Sequence, residues 1–281
     1  MPKLPWQSHP TTQIVPCTVA EYEQARGQFM GSHLLDLFNH SPRSCQWKMQ
    51  GLLQEASRPA YDLGRAIHCF ILEGPTEFHQ RYEIAEGPIN EKTGKPFGRD
   101  SKAWQEWNEE LLAQGRQVIN GEEFTRMNAM AESIAETDAQ QLLHIGLPEV
   151  TIRGELHGVR CQSRLDFFNR DAGWIVDLKT CEDLDRFSRD FSRFGYDRQL
   201  AFYRGMVQGL GLPVQPRVYV IAAEKSEPFR SHVFEVSPET LDLAAEQIQG
   251  SLLTYRQLVA TLGFDRPWPR SLKFGRTVTQ L

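Results

Sequence analysis

No run of about 18 consecutive apolar residues occurs in the chain, which excludes a transmembrane helix. Close cysteine pairs are missing too. Cys17, Cys45, Cys69, Cys161 and Cys181 are dispersed and odd in number, with no CxxC among them. That pattern argues against a disulfide framework and a structural zinc site, and equally against an iron–sulfur cluster. The thiols read as small buried hydrophobes in a reducing compartment. An excess of positive charge is also lacking. With 31 Lys+Arg against 36 Asp+Glu the formal net charge is −5, which disfavours a protein that coats nucleic acid by charge alone. The opening residues, MPKLPWQSHPTTQIVPCTVAEYEQ, hold no continuous apolar stretch, so no secretory signal is read there.

What is present is an ordinary globular composition. Of 281 residues, 40% are hydrophobic, 10% aromatic and 24% charged, which excludes collagen-like, coiled-coil and disordered chains. The length is ample for a core, and a cytoplasmic location is expected. Net charge does not exclude a local basic lining. Arg186, Arg189, Arg193, Arg198 and Arg204 lie close together in sequence, and Arg266, Arg270, Lys273 and Arg276 face only Asp265 near the end. Such runs are commonly solvated faces.

Periodicity divides the chain into helices followed by a mixed region. Residues 1–31 read as an irregular lead-in. A short helix is expected over His33–Asn39, with Ser32 as N-cap and Pro42 as its stop. Tyr61–Glu73 places Leu63, Ile67, Phe70 and Ile71 at helical spacing and ends at Gly74-Pro75. The Gly- and Pro-rich stretch 86–100 reads as an exposed loop of the kind that often contacts ligands. Helices are expected over Ser101–Gly115 and Gly121–Leu143.

From Glu149 the period changes. Glu149–Glu155, Gly158–Asn169 and Gly173–Thr180 read as three strands of an antiparallel meander, with LHG and RDAG as turns. A helix over Tyr196–Gly209 follows, then strands Arg217–Ala223 and Ser231–Val236. A long helix, Pro238–Leu262, is capped by Ser237. The fold class is a mixed α/β single domain with a helical N-terminal annex, spanning 1–281 and ending in a basic tail, 266–281.

The second and third strands carry the chemistry. Alternation puts Asp177 and Lys179 on one face and Leu178 on the other. Pairing through the RDAG turn would bring Asp166 toward Asp177. Two carboxylates beside one another repel unless a cation lies between them, and hard oxygen ligands suit magnesium or manganese. The tripeptide D-x-K is common, but here it sits in an apolar strand, Trp174-Ile175-Val176-Asp177-Leu178, and buried charges need partners. Gly64 and His68 share one helix face, as do Gln199 and Tyr203, with Tyr196 on the same side. Alone, each of these pairs fits an ordinary packed helix.

Together these pieces resemble the PD-(D/E)xK nuclease superfamily, whose core is αβββαβ, a mixed sheet flanked by helices. The order G-x-x-x-H, Glu, Asp, D-x-K, Q-x-x-x-Y is most similar to the RecE-like exonucleases of the exonuclease VIII type. It is more distantly similar to RecB-type nuclease domains and phage lambda exonuclease. DLGRAIHCFILEGPTEFHQRY, IVDLKTCEDLDRF and YDRQLAFY carry the likeness, from about Ser32 to the Trp268 region.

The resemblance implies metal-dependent hydrolysis of DNA. Asp166, Asp177 and the Leu178 carbonyl would hold metal, with His68 as a further ligand and Lys179 as the catalytic lysine. Gln199 and Tyr203 would support the phosphate or the nucleophile. Glu149 best matches the upstream glutamate, with Glu155 as competitor. Asp177 stands where many superfamily members have Glu, as it does in RecE-like members.

Two magnesium or manganese ions per site are implied, the first lowering the pKa of an attacking water and the second stabilising the leaving 3′ oxygen. Imidazole suits softer metals, so manganese should serve at least as well. The resemblance further implies 5′-to-3′ digestion of linear double-stranded DNA ends, a homo-oligomeric ring, and a single-strand annealing protein as partner in DNA recombination and repair, in a bacterial or phage-infected cell, with no membrane association. Arg164, Arg186, Arg189, Arg193 and Arg198, with the 86–100 loop, are the DNA-binding candidates. Two alternatives stand beside this reading: a RecB-like single-strand or flap endonuclease, and an inactive DNA-end-binding protein.

Overall fold

Two β-hairpins in succession build the centre of the molecule. The computed structural model describes residues 11–53 and 59–272. Before the sheet centre come β1 (Gln13–Val15), α1 (Val19–Gln24), α2 (Ser32–His40), α3 (Pro42–Met49), α4 (Pro59–His68), α5 (Pro75–Arg81) and β2 (Tyr82–Ile84). An excursion follows: β3 (Ile89–Asn90), β4 (Lys95–Pro96), α6 (Lys102–Ala113), β5 (Gln117–Ile119), α7 (Gly121–Ala135) and α8 (Ala139–Leu142). The second half holds β6 (Leu147–Leu156), β7 (Val159–Asn169), β8 (Trp174–Cys181), α9 (Phe187–Arg193), α10 (Tyr196–Gln208), β9 (Arg217–Glu224), β10 (Ser231–Glu235) and α11 (Pro238–Leu262).

The main sheet runs β1-β6-β7-β8-β9-β10, antiparallel throughout except that β8 and β9 are parallel. A parallel pair needs a crossover, which α9 and α10 supply. The expected meander is present, and its turns follow from sequence. His157 and Gly158 both take left-handed backbone between Leu156 and Val159, the geometry of a two-residue hairpin. At the next turn the Asn169 side chain accepts the amides of Asp171 and Ala172 at 3.1 and 3.0 Å, and left-handed Gly173 completes the reversal.

Apolar layers cover both sheet faces. Ile152, Cys161, Ile175, Val218 and Val220 pack under α2, α3, α10 and α11, whereas Phe167, Val176, Leu178, Tyr219 and Ile221 pack against α4, α5, α7 and α8. Burial on both faces explains why β8 and β9 are nearly continuous in apolar residues. The stripe Leu241, Ala244, Ile248, Leu252, Tyr255 and Val259 fixes α11, and its larger side chains contribute about 1.5–3 kcal/mol each. The Ser237 cap and the 238–262 boundaries match expectation.

Several expectations need correction. The lead-in is structured from Gln13: β1 pairs with β6, and Thr18 and Glu21 close a capping box on α1. Gly31, not Ser32, is the N-cap of α2. Pro42 stops nothing; it opens α3 at the first helical position, where a missing amide costs no bond. Residues 121–143 break into two helices, and short strands β2 and β5 lie where no strand was read.

The expected basic tail is docked at its start. Trp268 is fully buried, and the Gln46 side chain bonds the Phe264 and Arg266 carbonyls and the Trp268 amide at 3.0, 2.8 and 3.0 Å. Residues Lys273 and Arg276 lie outside the described residues.

Candidate active site

Strands β7 and β8 pair over only three residues, ending at Phe167 opposite Val176. One step further along each strand stand Asp166 and Asp177. Beyond that pair the strands part, and Asp166 Oδ2 accepts the Leu178 amide at 2.9 Å in place of a ladder bond. Leu165 and Phe168 face one layer while Phe167 faces the other, so the alternation of β7 breaks at Asp166. Across on β6, the pairs Pro148–Phe167 and Val150–Leu165 leave Glu149 facing Asp166, and Glu149 takes a left-handed φ of 55°. Such backbone in a non-glycine residue is costly and clusters at functional sites.

The third member comes from the helical annex. His68 is the last residue of α4, directly before a π-helical turn, Cys69–Glu73. Its Nδ1 lies 3.4 Å from Asp166 Oδ2. One ligand atom each from His68, Glu149 and Asp166 fall within 4.8 Å of one another. Arg164 fixes Glu149 through an Nε–Oε2 contact of 2.5 Å, and its Nη1 donates to the Cys17 carbonyl at 2.9 Å. Glu155, the competitor for the glutamate position, pairs with Arg160 at the far end of the hairpin.

Asp177 and Lys179 share a face, as expected. Their Oδ2 and Nζ form an ion pair at 2.5 Å, and the other buried oxygen of Asp177, Oδ1, has no hydrogen-bond donor. Leu178 fills the opposite layer. Lys179 also lies over the Tyr196 ring, 5.1 Å from its centroid. Gln199 Nε2 donates to Tyr203 Oη at 2.8 Å, one turn along α10.

Electrostatics oppose three bare carboxylates here. Burial raises the pKa of Glu149, and Asp166 beside it adds to the shift. Burial likewise raises Asp166 against the pull of Lys179, and it lifts Asp177 to about 6. Burial followed by the Lys179 charge lowers His68, keeping its imidazole neutral. Lys179 would itself be lowered by burial, but Asp177 and then Asp166 outweigh this and raise it. A neutral imidazole beside two clustered carboxylates whose charges repel fits a divalent cation. His68, Glu149 and Asp166 would hold it. Asp177, expected as a direct ligand, stands outside that trio and faces Lys179.

His68, Glu149, Asp166 and Lys179 line a cleft of about 950 Å³, together with Gly64, Arg65, Arg198, Tyr196, Gln199 and Tyr203, while Asp177 is buried behind it. The expected basic lining is only partly there. Arg164 is committed to Glu149. Arg204 is buried against Asp242 at 2.6 Å, a bond between α10 and α11. Arg198 bonds Asp36 at 3.0 Å on the cleft wall. Arg186, Arg189 and Arg193 are exposed, each within 4 Å of Asp183 or Asp190 and none lining the cleft. No residue of 86–100 lines it either.

The match to known families accords with this geometry. Residues 32–264 match a family model described as a PDDEXK-like domain of unknown function, DUF3799. The chain belongs to this PDDEXK-like family. Its core is therefore a nuclease fold, as the likeness to the PD-(D/E)xK superfamily implied. The crystal structure of a "putative exonuclease" from Eubacterium rectale is similar over 95% of this chain and 96% of that one, with a TM-score of 0.64 and 16% identity. A comparison with curated proteins gives no match. Among the described residues no helix is long and apolar enough to cross a membrane.

Sequence reasoning left Glu149 and Glu155 open, although the turn could have decided between them. Counting back from a two-residue reversal at His157-Gly158 puts Glu149, not Glu155, opposite Asp166. The role of Arg164 in holding Glu149 follows from the same register and was missed.

Proposed function

We propose that the protein is a metal-dependent DNA exonuclease that digests linear double-stranded ends from 5′ to 3′. The observation that carries this is the His68–Glu149–Asp166 trio beside the Asp177–Lys179 pair, within a PDDEXK-like domain. A bound magnesium or manganese ion would supply electrophilic activation of the scissile phosphodiester and of water. Glu149 and Asp166 hold negative charge at the cleft floor, and Arg164 keeps Glu149 aimed. Lys179, kept protonated by Asp177 and Asp166, places a positive charge where the pentavalent phosphorus centre gathers negative charge. Gln199 orients the Tyr203 hydroxyl, giving that wall a fixed donor for a phosphate oxygen. The "exonuclease" description of the Eubacterium rectale protein supports the end-directed reading.

The polarity, the 3′ single strands left for an annealing partner, and a ring-shaped homo-oligomer belong to the same proposal and rest on the RecE-like motif order. A linear duplex labelled separately at its 5′ and 3′ ends, incubated with magnesium beside a covalently closed circle, tests it. Early release of 5′-terminal nucleotides, an intact circle and an inert Lys179→Ala variant are expected. A nicked circle would assign an endonuclease, and no cleavage with either metal would leave DNA binding alone.

A further inference from the structure

We propose that Phe194 is a stacking platform for an unpaired nucleobase of the strand being cut, so that the cleft takes a strand end separated from its complement. This inference rests on the nuclease reading above. Among the described residues, the large apolar side chains that are both strongly exposed and part of the cleft wall are Val19 and Phe194, 45% and 56% exposed. Only Phe194 offers a ring.

Its position is built. Phe194 ends α9, and Gly195 turns the chain with a left-handed φ of 77° before α10 begins. A Cβ on Gly195 would come within 2.5 Å of Arg198 Nη2 and 3.5 Å of Asp36. The left-handed backbone favours glycine at this corner, which the Arg198–Asp36 pair lies close over, and the Phe194 ring is left outside both helices. The Arg193 guanidinium lies 5.5 Å from that ring. On the inner side the Tyr196 ring lies 5.9 Å from Phe194 and 5.1 Å from the Lys179 ammonium. One aromatic ring thus separates Phe194 from the lysine.

The reacting groups are recessed: the side chains of His68, Asp166 and Lys179 are 27%, 14% and 14% exposed. A phosphodiester reaches such a floor most readily from a strand that has left its duplex, which uncovers base faces. Exposed aromatic surface beside a phosphate-directed lysine is how sequence-tolerant single-strand sites compensate lost stacking.

The test is a double-mutant cycle in the Lys179→Ala background with magnesium, read by fluorescence anisotropy. Duplexes with a short unpaired end carry an abasic site walked along that end, and each is titrated with and without Phe194→Ala. The expected result is one position at which the base and Phe194 are coupled. There, losing either weakens binding about tenfold and losing both costs no more than one. Phe194→Trp should retain affinity and Phe194→Leu should lose it.

An equal loss at every position, retention by Phe194→Leu, or a change in oligomer size on Phe194→Ala would overturn the stacking role and mark an apolar or subunit contact. Failure of the Lys179→Ala protein to bind any of these DNAs would instead overturn the nuclease reading. A melting temperature unchanged by the exposed substitutions keeps misfolding out of the comparison.

Discussion

Arg164 and Glu149 are locked together by a 2.5 Å Nε–Oε2 contact inside the same hairpin that presents Asp166. The arginine is 16% exposed and also reaches the backbone of Cys17, so two of its nitrogens are engaged, one of them holding Glu149, the ligand proposed above, in place. Arg164→Ala should lower metal affinity about 10- to 100-fold, the usual effect of losing a partner behind a ligand. Isothermal titration with manganese reads it directly. Activity should return at high metal concentration, whereas loss of a DNA contact would not respond to metal.

His68 brings nitrogen to an otherwise oxygen-donor site. Manganese should therefore support cleavage at least as well as magnesium, and His68→Ala should be most impaired with magnesium at low concentration. Initial rates across a concentration series of each metal check this. Full magnesium activity in His68→Ala would remove the histidine from the site.

Asp177 makes the metal-free protein sensitive to pH. Its folded pKa of about 6 lies above its ordinary value of 3.8 because burial disfavours the charge. A raised carboxyl pKa means the folded state holds its proton more tightly. The destabilisation is therefore absent below about pH 4, grows as pH rises and is complete above about pH 6. In chelator, the melting temperature of Asp177→Asn minus that of the wild type should rise across that window. The change corresponds to on the order of 2 kcal/mol. A flat difference between pH 4 and 7 would show that Asp177 titrates normally.

Gln46 clamps the segment after α11 with three bonds made by one side chain. Gln46→Ala leaves the buried Trp268 amide and the Arg266 carbonyl without this partner, while Gln50 Nε2 still reaches the Phe264 carbonyl at 3.0 Å, and should cost about 3 kcal/mol in urea unfolding. The nuclease cleft lies elsewhere, so residual activity per folded molecule should be unchanged.

Much of this architecture can be read from residue order because it is written in alternation and turns. Asp177 and Lys179 share a face since residues two apart in a strand must. Asp166 and Asp177 meet because Asn169 to Gly173 makes a tight reversal. His68 could be found only through the motif, for no local pattern says that the end of α4 reaches a strand so far along the chain. For the arginines, sequence records their spacing and not their partners: Arg204 pairs with Asp242, Arg198 with Asp36 and Arg164 with Glu149. The short pieces β1, β2 and β5 and the helix at Pro42 were hidden by length. Three residues carry too little periodicity to announce a strand, and proline opens a helix as readily as it ends one.

The trio of His68, Glu149 and Asp166 draws on the helical annex and on both strands of the first hairpin, and the lysine arrives later still, on β8. A ribosome must finish most of the polypeptide before these four side chains can meet. Fragments released early in synthesis, or clipped between α4 and β6, carry the imidazole without its acidic companions. Chemistry that needs all four side chains therefore begins only with a chain that extends past Lys179.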